Sequence, residues 1–155
     1  MQPLDDLTVA DLTQSIAGPV CTQLLAEMGA TVIKIEPPAG DNFRHIMNGN
    51  MFVPFNHGKE SLCVDLKADE GKAVVTEIAT EADVVVESFR PGVLDQYDLD
   101  YESLVEENED VVYCSLSGFG RTGPYRSYPG YDPCIQALSG LMAINGYADR
   151  PPARI

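Results

Sequence analysis

The fold is decided by residues 7–36, which read LTVADLTQSIAGPVCTQLLAEMGATVIKIE. Their first six residues, Leu7 to Leu12, have the apolar composition of a strand. A helix follows, because Pro19 suits a first helical turn, Gly29 suits the end of a helix, and four apolar residues recur between them at helical spacing. These four are Val20, Leu24, Leu25 and Met28. Thr31 to Glu36 then reads as a second strand, so the stretch predicts the strand–helix–strand unit of a parallel sheet.

The alternation of helix and strand recurs downstream. We predict helices at Asp69 to Thr80 and Tyr101 to Asn108, strands at Ala82 to Glu87 and Val111 to Leu116, and a last helix that begins near Pro133 and buries Ile135, Leu138, Leu141 and Met142. The stretch from Pro37 to Lys67 contains Gly, Asn, Pro and both histidines. It predicts a long excursion over one edge of the sheet. The predicted fold class is α/β.

Length and charge limit the classes of function. With 155 residues, 45% of them hydrophobic, the chain is long enough for one core and too short for two ordinary domains. We therefore expect a single α/β layer system. Acidic residues outnumber basic ones by 24 to 10, for a formal charge of −14. This charge argues against a partner that is nucleic acid or an anionic membrane, and it fits either a well-solvated surface or adaptation to high salt.

The cysteines, histidines and apolar runs carry no signal of a special site. The cysteines are Cys21, Cys63, Cys114 and Cys134. Without a C-x-x-C pair or a signal-like start, they predict reduced thiols, mostly packed in the core of a cytoplasmic protein. Two lone histidines, His45 and His57, cannot specify a metal site, so we expect no metal. No apolar run approaches the roughly 18 to 20 residues of a membrane span.

One glycine-rich segment imitates a dinucleotide fingerprint. Gly118 to Gly123 reads GFGRTG and follows a predicted strand. The fingerprint requires a helix to open at its third glycine, but Pro124 follows at once, and no acidic strand end comes about 20 residues later. We therefore exclude an NAD or FAD site of this kind. No serine lies in G-x-S-x-G, so a serine hydrolase is not supported either.

A series of short segments, each weak alone, carries a family resemblance. The segments are 11–13 DLT, 17–19 AGP, 23–30 QLLAEMGA, 32–38 VIKIEPP, 64–67 VDLK, 82–92 ADVVVESFRPG, 113–120 YCSLSGFG, 122–125 TGPY, 130–132 GYD and 136–142 QALSGLM. In this order, over nearly the whole chain, they resemble family III CoA-transferases. That family includes formyl-CoA and carnitine CoA-transferases as well as α-methylacyl-CoA racemases.

The resemblance implies a fold and a set of partners. The fold is a Rossmann-like parallel sheet with helices on both faces, belonging to the amino-terminal part of the family's large domain. Residues 1–155 would be the CoA-binding part, with the remainder of the enzyme beyond Ile155. The implied substrates are coenzyme A or acyl-CoA and a carboxylic acid, with no permanently bound cofactor. The full-length enzyme is expected to form an interlocked homodimer.

The resemblance also assigns candidate CoA contacts by position. They are Gln14, Ser15, Ile16, Ala17, Lys59, Ser88, Phe89 and Arg90. The first four match the segment at the thioester end of CoA, and residues 88–89 match the segment that holds adenosine and pantetheine. Lys59 and Arg90 are the nearby cations assigned to phosphate. Packing of Phe89 under the loop and capping of a strand end by Arg90 stay open as alternatives.

Two further residues, Tyr131 and Asp132, are expected near the acyl site. Racemases of the family carry a histidine where this chain has Tyr131, and tyrosine, with a pKa near 10, is a poor acid–base replacement. CoA transfer is therefore favoured over racemisation. In the transferases an aspartate attacks the acyl-CoA carbonyl, and an enzyme–CoA thioester follows.

Family order places that aspartate beyond Ile155. We therefore assign no catalytic residue within the chain, and we expect residues 1–155 alone to be inactive. Asp132 could instead cap the helix that begins at Pro133. The alternatives to CoA transfer are a racemase-like activity and a non-catalytic nucleotide-binding module.

Overall fold

Five parallel strands form one sheet in the computed structural model, which describes residues 2–155. The strands are β1 (Thr8–Leu12), β2 (Thr31–Glu36), β3 (Glu60–Cys63), β4 (Val84–Glu87) and β5 (Val112–Ser115). Their spatial order is β3-β2-β1-β4-β5, and every neighbouring pair is parallel. The sheet confirms the predicted α/β fold class.

Helices alternate with these strands along the chain. They are α1 (Ala17–Glu27), α2 (Asp69–Glu81), α3 (Tyr101–Glu107), α4 (Asp132–Leu138) and α5 (Leu141–Ile144). Short 3-10 helices lie at Asn42–His45, Met47–Gly49, Val53–Phe55 and Leu94–Tyr97. No helix among residues 2–155 is long and apolar enough to cross a membrane.

The sheet is covered on both faces because its strands alternate their buried side chains. Ala10 and Val85 lie in a core cluster that also contains Val75 and Ala79 of α2 and Leu104 of α3. The neighbouring strand residues belong to a second cluster that includes α1. Its members are Val9, Ala30, Val32 and Val86, with Leu25 and Ala26 packed against them. Helices therefore cover both faces, as a Rossmann-like sheet requires.

The structure differs from the sequence predictions in the excursion and in the last helix. The excursion predicted from Pro37 to Lys67 contains the edge strand β3, which pairs only with β2. Most of β3 is exposed, so it lacks the apolar alternation that identifies a strand. The single last helix is divided into α4 and α5 at Gly140, whose φ of +80° is left-handed. Leu138, predicted to be buried, is 66% exposed.

The chain forms two compact units rather than one. The first ends at Leu116 and contains the whole sheet, and the second is Ser117–Ile155. Within the second unit two backbone segments cross closely at Gly118 and Gly130. A Cβ atom added to Gly118 would lie 2.4 Å from the Cα of Gly130, so only glycine fits at this crossing.

Candidate functional site

The sheet has a switch point between β1 and β4. From β1 the chain moves outward through β2 and β3, and it then crosses back to place β4 on the other side of β1. The segments that leave β1 and β4 diverge at their carboxyl ends, and such a crevice is where open α/β sheets bind ligands. Residues 14–17 and 88–90, which the family resemblance assigns to CoA, come just after these two strands.

A direct hydrogen bond joins these two segments. The backbone N–H of Gln14 donates to Ser88 Oγ at 2.9 Å. The next residue, Ser15, has a left-handed backbone with φ +69°, which is unfavourable for a residue with a Cβ atom. Gly18 then lets the start of α1 pack on the turn, because a Cβ there would lie 2.3 Å from Thr13 Cβ. The predicted site residues of the first turn and of Ser88 therefore lie together.

A cleft of about 240 Å³ opens at this edge of the sheet. Its lining comes from residues at or just after the carboxyl ends of β1, β2, β3 and β4 and is largely apolar. The lining residues are Leu12, Gln14, Ile35, Glu36, Pro37, Val64, Asp65, Leu66, Lys67, Phe89, Val93, Leu94 and Tyr97. Phe89 both lines the cleft and packs against the larger core cluster, so binding and packing are compatible roles for it.

The remaining predicted contacts are accessible. Ile16 is 43% exposed, and Ala17 and Arg90 are exposed as well. Ile16 is the residue before α1, and no side chain caps this helix start. Unsatisfied amides at the start of a helix favour an anionic ligand.

Lys59 is a correction to the predicted site. Its ammonium lies in the interior, with 1% of the side chain exposed. It donates to Asp11 Oδ2 at 2.9 Å, Thr22 Oγ1 at 2.7 Å and Asn56 Oδ1 at 2.9 Å, and a fourth acceptor, Pro19 O, lies at 2.9 Å. An ammonium has three donors, so none is left for a phosphate. Lys59 anchors α1 and the excursion to β1 instead.

The pKa values of Lys59 and Asp11 are shifted by burial and by their mutual attraction. Burial lowers the pKa of Lys59, and attraction to Asp11 offsets only part of that effect. Burial by itself would raise the pKa of Asp11. Lys34 and Lys59, with hydrogen bonds from Thr13 and Thr22, outweigh it and hold the pKa of Asp11 below its usual value. Asp11 is therefore a structural carboxylate that stays ionised at neutral pH.

Lys67 is the cation that the sequence reasoning missed. It is exposed and lines the cleft just after β3. Its segment, VDLK, belongs to the family resemblance, and that match was the available signal. The sequence alone does not distinguish Lys59 from Lys67, because their burial depends on partners far along the chain.

Residues of the second unit are described by themselves. Tyr131 is 67% exposed. Asp132 is the first residue of α4 rather than its cap, and its Oδ2 accepts from Gln136 Nε2 at 2.8 Å, so the capping role predicted for it is wrong. Gln136 is the one buried residue of this fully described unit, and its Oε1 also accepts from Ile155 N at 3.0 Å.

The four cysteines are free thiols, but only part of their prediction holds. Cys63 and Cys134 are exposed, contrary to the expected core positions. Cys114 lies half-buried in β5. Burial is the main cause that raises its pKa, and the negative charges that Cys21 and Glu87 can carry raise it further. Cys114 is therefore a packed, protonated thiol at neutral pH. No group of histidine, cysteine and carboxylate side chains within residues 2–155 could hold a metal ion.

Comparison with known proteins decides the family. The model of CoA-transferase family III matches residues 4–155. The chain belongs to CoA-transferase family III. As a family III chain it is 43% identical, over 99% of its length, to acetyl-CoA:oxalate CoA-transferase of Acetobacter aceti, and 44% identical, over its whole length, to succinyl-CoA:mesaconate CoA-transferase of Haloarcula hispanica. These matches confirm the resemblance read from the sequence.

A solved structure agrees with the family assignment. The family III fold of this chain superimposes on a CAIB/BAIF family protein from Brucella suis with a TM-score of 0.91 and 43% identity, over 99% of this chain and 43% of that one. This match confirms the Rossmann-like architecture. The chain spans about two fifths of the length of the curated relatives, 41% and 43% for the two named above.

Proposed function

We propose that the protein acts in the transfer of coenzyme A from an acyl-CoA to a carboxylic acid, and that the switch-point crevice binds CoA. The observation that carries the proposal is the hydrogen bond between Gln14 N and Ser88 Oγ, 2.9 Å long. It joins the two segments assigned to CoA at the one edge of the sheet where this fold class binds nucleotides. The parallel pairing of β1 with β4, in which Leu12 lies opposite Glu87, brings these two segments together.

The cleft has the chemistry that an adenine nucleotide requires. Its apolar lining and the Phe89 ring suit the adenine and pantetheine parts. The phosphates need local positive charge because the chain as a whole carries −14. We assign this charge to Lys67 and Arg90, which are both exposed, and to the uncapped start of α1.

The chemistry we propose is nucleophilic catalysis by an aspartate. Its carboxylate attacks the acyl-CoA carbonyl and expels the CoA thiolate, which leaves a mixed anhydride. The thiolate attacks the aspartyl carbonyl of that anhydride, releases the donor acid and forms an enzyme–CoA thioester. The acceptor acid attacks this thioester, and the freed thiolate then takes the new acyl group and regenerates the carboxylate. By the resemblance, this aspartate is not among residues 1–155.

We propose small dicarboxylates as the acid substrates. The names of several relatives support this choice, since they act on oxalate, mesaconate, D-citramalate and glutarate, and most of them involve succinyl-CoA or succinate. We place Tyr131 and Asp132 near the acyl end of CoA by resemblance. Their exposure leaves them accessible to a ligand.

Calorimetric titration with CoA tests the binding site. We expect Arg90→Ala and Lys67→Ala each to weaken CoA binding about tenfold to a hundredfold, the loss typical of a charge-assisted hydrogen bond. Lys72→Ala is the matched control, because Lys72 is a partly exposed cation on α2 that pairs with Asp98 outside the cleft. Equal affinity of all four proteins for CoA would remove the phosphate assignment.

An activity assay tests the reaction. The full-length enzyme, which includes the nucleophilic aspartate, is mixed with succinyl-CoA and, in turn, oxalate, mesaconate, citramalate and glutarate, and new acyl-CoA is measured by mass spectrometry. An enzyme–CoA thioester should be trapped by borohydride or hydroxylamine at an aspartate. Racemisation of a 2-methylacyl-CoA without transfer would favour the racemase-like alternative.

A further inference from the structure

The first turn is held in a conformation that its own sequence does not favour. Ser15 has a φ of +69°, and no glycine relieves it at this position. Such a conformation persists only where surrounding groups determine it. The question is which groups outside the turn do so.

Side chains from three separate segments hold three consecutive backbone groups of the turn. Lys34 Nζ, from β2, donates to Thr13 O at 2.9 Å. Ser88 Oγ, after β4, accepts from Gln14 N. Asp41 Oδ2, at the start of the excursion, accepts from Ser15 N at 3.2 Å. The turn is therefore fixed from its protein side by Ser88, already a candidate CoA contact, and by Lys34 and Asp41, which the sequence assigned to no role.

Asp41 is itself held in place. It is 1% exposed, and its Oδ2 lies 3.5 Å from Lys34 Nζ, which is also buried. Its Oδ1 accepts from Phe43 N at 2.8 Å, and its own N–H donates to Glu36 Oε2 at 3.0 Å. Glu36 in turn binds Arg44, whose guanidinium stacks 3.7 Å from the centre of the Phe52 ring. The excursion thus acts on the turn through Asp41.

We propose that Asp41, together with Lys34, is a positioning residue for CoA: the buried pair fixes the left-handed turn at Ser15 and so sets the shape of the CoA crevice. The inference rests on the proposed CoA site, but it assigns residues that do not touch the ligand. A buried ion pair is a poor source of stability, since desolvation offsets its attraction. The contacts of the pair with Thr13 O and Ser15 N point to a geometric role rather than a stabilising one.

Four variants separate positioning from stability. Asp41→Asn removes one acceptor and the charge, and Lys34→Met leaves Asp41 without its cation. The double variant Lys34→Met/Asp41→Asn removes both charges and should regain stability. Asp100→Asn is the control, because Asp100 is another buried aspartate that caps a helix, α3, by accepting from Ser103 N, and it has no contact with the turn.

CoA affinity is measured by calorimetry at 10 °C below the lowest melting temperature of the set, and exchange of the Ser15 amide is followed in parallel. We expect Asp41→Asn and the double variant to bind CoA about tenfold more weakly and to exchange Ser15 faster. Asp100→Asn should bind as the unmodified protein does. Recovery of affinity together with stability in the double variant, or equal loss in Asp100→Asn, overturns the positioning role. If the unmodified protein fails to bind CoA, the proposed function itself fails.

Discussion

The two units of the chain differ in net charge and in how many charged side chains they bury. The unit that ends at Leu116 has 22 Asp and Glu against 6 Lys and Arg, for a formal charge of −16, whereas Ser117–Ile155 has 2 against 4, for +2. The acidic unit nevertheless buries charged side chains. They include Asp11, Lys34, Glu36, Asp41, Glu87 and Asp100. The basic unit buries only the amide of Gln136, and all its residues are described.

The two units also differ in the kind of contact that holds their loops. In the first unit the turn at Ser15 is determined by three hydrogen bonds, one buried and two partly buried, each with a matched partner. In the second unit residues 119–128 are held by tilted contacts among Phe119, Tyr125 and Tyr128, with ring centres 5.3–6.3 Å apart. Aromatic contacts tolerate sliding, whereas buried polar groups accept one geometry. We therefore expect precise binding geometry in the first unit.

Hydrogen exchange should give the largest contrast between the units. The amides of Val9 and Ala10, at 0% exposure in the central strand, should exchange only on global unfolding. The amides of Thr122, Gly123, Tyr125 and Ser127, all exposed residues, should exchange near the rate of an unstructured peptide. We expect a difference of about ten-thousandfold or more in protection, measured by mass spectrometry with proteolysis. Comparable protection would mean that the second unit is as firmly held as the first.

Lys59→Met should have the next largest effect. It leaves Asp11 buried without one of its cations, and we expect a loss of about 3–5 kcal/mol in the free energy of unfolding. Lys72→Met is the control on a surface pair, with Asp98 70% exposed, and should cost no more than about 1 kcal/mol. Urea unfolding followed by circular dichroism measures both. A small loss for Lys59→Met would mean that its charge pairs are dispensable.

Acid should destabilise the first unit selectively. Burial opposes ionisation of Asp11 and Glu36, but their cations and hydrogen bonds hold both pKa values below the usual range. Stability from a lowered carboxylate pKa is present above the unfolded pKa of about 4 and is lost as pH falls through the folded pKa. The free energy of unfolding should therefore be nearly flat from pH 7 to 5 and should fall below pH 4. Asp11→Asn should reduce this slope, and the exposed Asp149→Asn should leave it unchanged.

Salt should have the smallest effect. A charge of −16 on the first unit repels itself at low ionic strength, and screening over about 10 Å at 0.1 M relieves that repulsion. We expect the melting temperature to rise by a few degrees from low salt to molar KCl. A flat or falling melting temperature would favour the ordinary solvated surface over adaptation to high salt.

The apolar periodicity and the turn residues of the sequence predicted the buried strands and most of the helices. β2 has the predicted bounds, because its apolar run is cut off by two prolines. The sequence pattern does not reveal the edge strand β3, because three of its four residues are exposed, nor the break at Gly140, because the periodicity continues across it. In the candidate site, the family resemblance, and not a local pattern, singled out the turn and Ser88. It could not identify Asp41, because that role depends on a contact 26 residues away.

The crossing of Gly118 and Gly130 gives the intervening eleven residues the form of a loop with a closed neck. A methyl group at either glycine would push the two backbones apart, so the neck admits no substitution. The closure entropy of a flexible loop changes only slowly with its length, so the loop itself admits insertions. In evolutionary terms, we expect descendants of one gene to keep both glycines even where the length of this loop differs between them.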